Sequence, residues 1–125
     1  MGLECISRGA NQVYFVDNNK ENILALKKLL AKLNATNFYL LSCDFYEALR
    51  EVSEKKLVFD IIFLDPPFDS NLAEVALQKI FKFGLLSQNG IVVWEHPTEN
   101  NSTKFKTKIK DTRVYGKIQI DFLGY

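Results

Sequence analysis

Two prolines follow directly on an aspartate in the segment Asp65-Pro66-Pro67-Phe68. Each proline fixes its own φ and pushes the residue before it into extended geometry, so the backbone at Asp65 and Pro66 is stiff. A stiff loop can present the Asp65 carboxylate and a backbone carbonyl together as two fixed acceptors. Such a pair suits a group carrying two N–H donors. It could grip an exocyclic amine, orient the nitrogen lone pair and favour its attack on a methyl group. Phe68 offers a ring face on which a flipped base can stack. The same residues also fit a strand stopped by prolines, with Phe68 in the core.

Two further carboxylates stand in comparable places. Asp17 follows the apolar run 13–16, and Asp44 closely follows the run 38–41. In open α/β sheets ligands bind outside the C-terminal ends of the strands, and a carboxylate there commonly takes ribose hydroxyls. Asp17 therefore reads as a ribose ligand, and Asp44 as an acceptor for an adenine amino group. Aspartate is also a favoured helix N-cap at these positions. Three aspartates at successive strand ends, one of them followed by two prolines, point jointly to a ligand.

Other candidates carry less. His96 could be a general base, but one histidine beside a proline turn is more often surface structure. Trp94, inside the apolar run 91–94, reads as core, and Glu95 could line a pocket or be solvated. No lysine-bearing phosphate loop is present, which argues against a P-loop nucleotide hydrolase. The absence of a serine elbow argues against a hydrolase.

These residues need strands to hold them, and the hydrophobic pattern supplies the strands. Residues 2–8 read as the end of a helix closed by Gly9. Helical spacing of Ile23, Leu26, Leu29, Leu30 and Leu33 predicts a helix over 18–34. A short helix is expected over 45–51. The run 59–64 is apolar apart from Asp60, as in a strand covered on both faces. A helix over 71–83 would turn Leu72, Val75, Ala76, Ile80 and Phe83 inward, with Gly84 ending it. Asn89-Gly90 is a turn signal before the strand 91–94, which Glu95-His96-Pro97 closes. From Lys106 onward the period drops to two, with Gly116-Lys117 able to turn a terminal antiparallel hairpin. The sum is an α/β domain with a mostly parallel sheet, a single domain over 1–125.

Composition agrees with a folded domain: of 125 residues, 47% are hydrophobic and 13% aromatic, enough for a core. The net charge of +1 says nothing about nucleic acid, but its distribution does. Residues 1–100 hold 10 basic and 13 acidic side chains, whereas 101–125 hold 6 basic and 2 acidic. That basic tail suits a phosphate-facing surface, and equally an edge strand guarded by lysines. Cys5 and Cys43 form no metal-ligand pattern and read as free thiols in a reducing compartment. No secretory signal opens the sequence and no apolar run is long enough to span a bilayer. A cytoplasmic protein is expected.

The sequence resembles the bacterial 16S ribosomal RNA guanine-N2 methyltransferases typified by RsmD, within the Rossmann-like S-adenosylmethionine-dependent enzymes. The opening Gly2-Leu3-Glu4-Cys5-Ile6-Ser7-Arg8-Gly9-Ala10 is similar to that family's G-L-E-A-L-S-R-G-A. The stretch from Val13 to Asn18 is similar to its second strand with the ribose-binding acid. Ser42-Cys43-Asp44-Phe45 matches the place of its adenine contact, and Asp65-Pro66-Pro67-Phe68 matches its D-P-P-[FY] loop. Arg113-Val114-Tyr115-Gly116-Lys117 resembles its final hairpin. The resemblance implies a class I methyltransferase fold using S-adenosyl-L-methionine, with 16S ribosomal RNA or an assembling small subunit as partner. It implies that Asp65 and the Pro66 carbonyl bind the target amine, with Pro67 and Phe68 completing the catalytic loop. It places Asp17 and Asn18 at the ribose, Asp44 and Phe45 at the adenine, and Asp65 beside the cofactor as well.

The family's first strand and glycine-rich loop, D-x-F-A-G-S-G-A-x-G, would lie upstream, and Gly2 falls at the last glycine of that pattern. The expectation is a truncated domain whose sheet lacks its first strand, between those ending at Asp17 and Asp65. Such a form would be nearly silent in catalysis, and its open sheet edge could pair with another copy. Two other functions fit the same residues: a DNA or protein amino-group methyltransferase, and an inactive remnant that binds RNA or a partner through the basic hairpin.

Overall fold

The computed structural model describes residues 2–65, 72–98 and 105–125. They fall into two compact units, Met1–Glu51 and Val52–Tyr125.

The first unit begins with helix α1 (Gly2–Ser7), which Gly9 ends at φ +94°, in the left-handed region that favours glycine. Strand β1 (Val13–Val16) pairs in parallel with β2 (Phe38–Leu41), in a register running from Val13↔Phe38 to Val16↔Leu41. Tyr14 and Tyr39, opposite one another, stack with ring centroids 4.6 Å apart. The crossover between these strands is helix α2 (Lys20–Lys32). It starts two residues later than its apolar spacing predicts, because Asn19 is the N-cap and accepts from the amides of Glu21 and Asn22. Leu30 is fully buried and Ile23 and Leu26 are half-buried, but Leu29 and Leu33 are exposed. The inward stripe is therefore narrower than the apolar pattern. Helix α3 (Phe45–Glu54) runs three residues beyond its expected end and crosses into the second unit.

The second unit holds a four-stranded sheet in the order β3-β4-β6-β5. Strand β3 (Phe59–Leu64) lies parallel to β4 (Leu86–Pro97), and helix α4 (Leu72–Lys82) makes their crossover. Strands β5 (Ile109–Tyr115) and β6 (Ile118–Leu123) form the expected hairpin, turned at Gly116 with φ +61°. A single 3-10 turn (Lys106–Lys108) precedes it. β6 inserts between β4 and β5, antiparallel to both.

Four expectations need correction here. β4 extends well beyond 91–94 at both ends. Asn89-Gly90 does not turn the chain before it but lies inside it, where the register jumps from Phe59↔Leu86 to Ile61↔Ile91. A Cβ at Gly90 would meet Leu86 Cδ1 at 2.7 Å and Ser87 Oγ at 2.8 Å, so a larger residue there would have to displace those side chains. Helix α4 ends at Lys82, before Phe83, which is exposed, and Ala73 and Leu77 join Ala76 and Ile80 in the core instead. β3 is not covered on both faces, since Ile61 and Phe63 are exposed.

The core of the second unit lies on one face of this sheet. Val92, Trp94 and Leu123 are buried, together with Ala76, Leu77 and Ile80 of α4. Alternation along β4 is regular: Val92, Trp94 and His96 are buried, while Ile91, Val93 and Glu95 are not.

Candidate active site

In the first unit, Asp17 and Asp44 leave the same end of a two-stranded parallel sheet. Asp17 lies one residue past the last paired position, and its amide donates to the Leu41 carbonyl at 3.2 Å. Its carboxylate accepts from the Asn19 amide at 2.9 Å and from Asn22 Nδ2 at 3.1 Å. Asn18 is exposed between them. Asp44 caps α3, accepting the Glu47 amide at 2.9 Å. Phe45 packs its ring against Tyr46, with centroids 4.0 Å apart. Both aspartates thus do the helix-starting work that their positions allow, yet every carboxylate oxygen has two lone pairs and keeps room for a ligand donor. Burial, followed by the charges of Glu47, Glu51 and Asp44, pushes the nearby Cys43 thiol up. That environment disfavours the thiolate and argues against a cysteine nucleophile.

In the second unit, Asp65 is exposed one residue beyond the last pair of the β3–β4 ladder, Leu64↔Trp94. Pro66, Pro67 and Phe68, the rest of the expected catalytic loop, lie outside the described residues. Glu95 follows Trp94 on β4 as Asp65 follows Leu64 on β3, and it is half-buried.

His96 differs from both of its sequence readings. It is buried, not on the surface, and it is not available as a general base. Nε2 lies 2.7 Å from Asp121 Oδ2, and Nδ1 lies 2.8 Å from the Pro97 carbonyl oxygen, so both ring nitrogens face acceptors. Asp121 also accepts from the Thr112 hydroxyl at 2.7 Å and from Gln119 Nε2 at 3.0 Å. Burial would raise the Asp121 carboxyl, but the hydrogen bonds from Thr112, His96 and Gln119, with the His96 charge, hold it below its ordinary value. This cluster joins β4, β5 and β6, and no sequence signal marked Asp121. Trp94 is core, as expected, and its Nε1 is buried without a hydrogen-bond partner among the described residues.

On the basic hairpin, Lys106, Lys110, Arg113 and Lys117 are exposed. Lys108 is half-buried, its Nζ 5.3 Å from the ring centres of both Phe81 and Tyr125. Lys104 lies outside the described residues. No described helix is long and apolar enough to cross a membrane.

Parallel βαβ units, strand-end carboxylates and a closing antiparallel hairpin define a Rossmann-like class I methyltransferase fold. The chain belongs to the family described as conserved hypothetical protein 95, which matches residues 1–124. Among curated relatives, the ribosomal RNA small subunit methyltransferase D of Buchnera aphidicola subsp. Baizongia pistaciae is 32% identical over 107 residues, covering 86% of this chain and 52% of that protein. The yhhF protein of Escherichia coli superposes with a TM-score of 0.86 at 23% identity, over 100% of this chain and 71% of that one. SMU.776, solved in complex with SAH, superposes with a TM-score of 0.68 at 18% identity, over 94% of this chain and 40% of that one. The chain spans about half the length of the curated relatives it matches.

Proposed function

We propose that this protein transfers a methyl group from S-adenosyl-L-methionine to the exocyclic N2 amine of a guanine in 16S ribosomal RNA, alone or in an assembling small subunit, in the cytoplasm. The observation that carries this reading is a family match across nearly the whole chain, in which strands β1, β2 and β3 are each followed by an aspartate at or near the end. A relative named as a small-subunit ribosomal RNA methyltransferase supports the substrate class, and the SAH complex of SMU.776 supports the cofactor.

The acceptor residues fit such a cofactor chemically. Ribose hydroxyls and an adenine amine are hydrogen-bond donors, and Asp17 and Asp44 offer carboxylate oxygens whose described local bonds leave lone pairs over. When bound, the cofactor supplies an electrophilic methyl group. Asp17 and Asn18 would take its ribose, and Asp44 and Phe45 its adenine. Asp65 and the Pro66 carbonyl accept the two hydrogens of the target amine. This grip holds the nitrogen lone pair in one direction, which is worth much in rate because small misplacements are costly. Pro67 and Phe68 belong to the same proposed loop, with Phe68 the ring offered to the base.

Methyl transfer to 16S ribosomal RNA tests this, measured in a form extended upstream by the family's first strand and glycine-rich loop and in Asp65→Ala of that form. The extended form transfers and its variant does not, while the variant's cofactor affinity stays within a few-fold. Undiminished transfer by the variant, or none by the extended form, overturns the reading.

A further inference from the structure

We infer that Glu95 selects guanine by accepting the hydrogen on its ring nitrogen N1, beside the amine held at Asp65. This rests on the reading of Asp65 as the base-binding acid. The sheet register carries it. Phe63 pairs with Val93 and Leu64 with Trp94 in a parallel ladder. Paired residues of neighbouring strands project to the same face, and residues two apart along a strand do so as well. The last pair is Leu64↔Trp94, and Asp65 and Glu95 follow it directly; carried one step further, the register puts both on the face of Phe63 and Val93, one strand spacing or about 4.8 Å apart. It is the less covered face, for Ile61, Phe63 and Ile91 on it are all exposed, while Trp94 and His96 on the other are buried. Glu95 itself is half-buried.

Base chemistry gives this neighbour a definite task. Ionised carboxylates only accept hydrogen bonds. Adenine and cytosine each present an unprotonated ring nitrogen beside their amine, and its lone pair would face Glu95 and be repelled. Guanine alone of the amino bases carries a hydrogen on the ring nitrogen next to its amine. Two adjacent carboxylates thus match the donor–donor edge of guanine and leave a mismatched acceptor on the other two. Sites of this kind reject a partner strongly, because a group built to be hydrogen-bonded is left facing its own kind. His96, the next residue but on the opposite face, cannot share the task, since both of its nitrogens are already occupied.

Equilibrium binding of three nucleotides to the protein provides the test: guanosine, adenosine and 2-aminopurine riboside 5′-monophosphates. 2-Aminopurine keeps the amine of guanine but has a bare N1. The parent should favour guanosine over 2-aminopurine by about ten-fold, on the scale of one specific base contact. Glu95→Gln preserves size and adds a donor for a bare N1, so that preference should fall about ten-fold, as should the preference over adenosine. Because the same two ligands are compared in both proteins, the missing O6 of 2-aminopurine cancels. Asp65→Ala should weaken guanosine and 2-aminopurine together. If Asp65→Ala weakens binding but Glu95→Gln leaves the preference unchanged, the role of Glu95 is overturned and the base site stands. If Asp65→Ala has no effect, or the parent binds none of the three, the base site itself is overturned and this inference with it.

Discussion

His96 Nε2 sits 2.7 Å from Asp121 Oδ2, with both side chains buried between three strands of the second sheet. The pair ties β4 to β6, and Thr112 extends the tie to β5. A buried pair is weak evidence of net stabilisation, but removing one partner strands the other in a medium that cannot solvate it. Asp121→Ala should therefore cost about 2 kcal/mol, the scale for leaving buried hydrogen-bonding groups without their acceptor. It would also leave the Thr112 hydroxyl and the Gln119 amide without their acceptor. Urea unfolding followed by circular dichroism measures this. A loss below about 1 kcal/mol would mean that water reaches the cluster and that the pair is not structurally important.

The same carboxylate sets a pH dependence. Its pKa lies below the ordinary 3.8 in the folded protein, because its hydrogen bonds and the His96 charge outweigh burial. A depressed folded value means that the unfolded chain binds the proton more readily. The contribution to stability is then complete above about pH 4 and fades as the pH falls through the folded value. Denaturant midpoints measured from pH 6 down to pH 2 should fall at the acid end in the parent. They should fall less in Asp121→Asn, which has no carboxyl to protonate. An equal acid slope in both proteins would remove Asp121 from the account.

What the sequence reveals follows the range of the interactions involved. Helix α2 shows in its spacing, and the Gly116-Lys117 hairpin shows in a period of two and a turn residue, all within a few positions. Trp94 as core is equally local. The length of β4 is not local, since its last residues are held by β6, with His96 opposite Gln119 and Pro97 opposite Ile118. Periodicity cannot see a partner more than twenty residues away, and neither the burial of His96 nor its bond to Asp121 is local in sequence. Burial fails in the same way: Leu29, Leu33 and Phe83 are as apolar as their buried neighbours, and only packing tells them apart. The strand-end aspartates were legible because a strand and the residue after it are contiguous. Their helix-starting bonds were equally foreseeable, and sequence could not choose between the two roles.

A pair of substitutions separates those roles at the first strand end. Asn19 is the cap of α2, bonded to the amides of Glu21 and Asn22, whereas Asp17 supports that turn from outside. Asn19→Ala should cost about 1 kcal/mol of stability, the usual price of a lost cap, and leave cofactor affinity within a few-fold. Asp17→Ala should weaken S-adenosylmethionine binding by about 2 kcal/mol, the scale for a lost charge-assisted acceptor. Calorimetric titration and thermal unfolding of both variants give the two numbers. Unchanged cofactor affinity in Asp17→Ala would return that residue to helix support alone.

The basic hairpin divides in a similar way. Lys106, Lys110, Arg113 and Lys117 are exposed, and the 3.4 Å Arg113–Asp111 pair lies on the surface, where such pairs are weak. Each of the four is open to an RNA phosphate. Lys108 is already placed over the Phe81 and Tyr125 rings, so its charge is used inside the fold. Single-stranded RNA releases about 0.7 of a counterion for each phosphate neutralised, and this sets the slope of log affinity against log salt. Replacing the four exposed residues with Gln should flatten that slope by up to about 3 and weaken RNA binding. Lys108→Gln should leave the slope unchanged and cost about 0.5–1 kcal/mol of stability instead, the scale of a surface cation–π contact. Filter binding of a 16S ribosomal RNA fragment across a salt series distinguishes these outcomes. A slope indifferent to all four substitutions would make the lysines a guard on the edge strand β5, where charge discourages pairing with another chain.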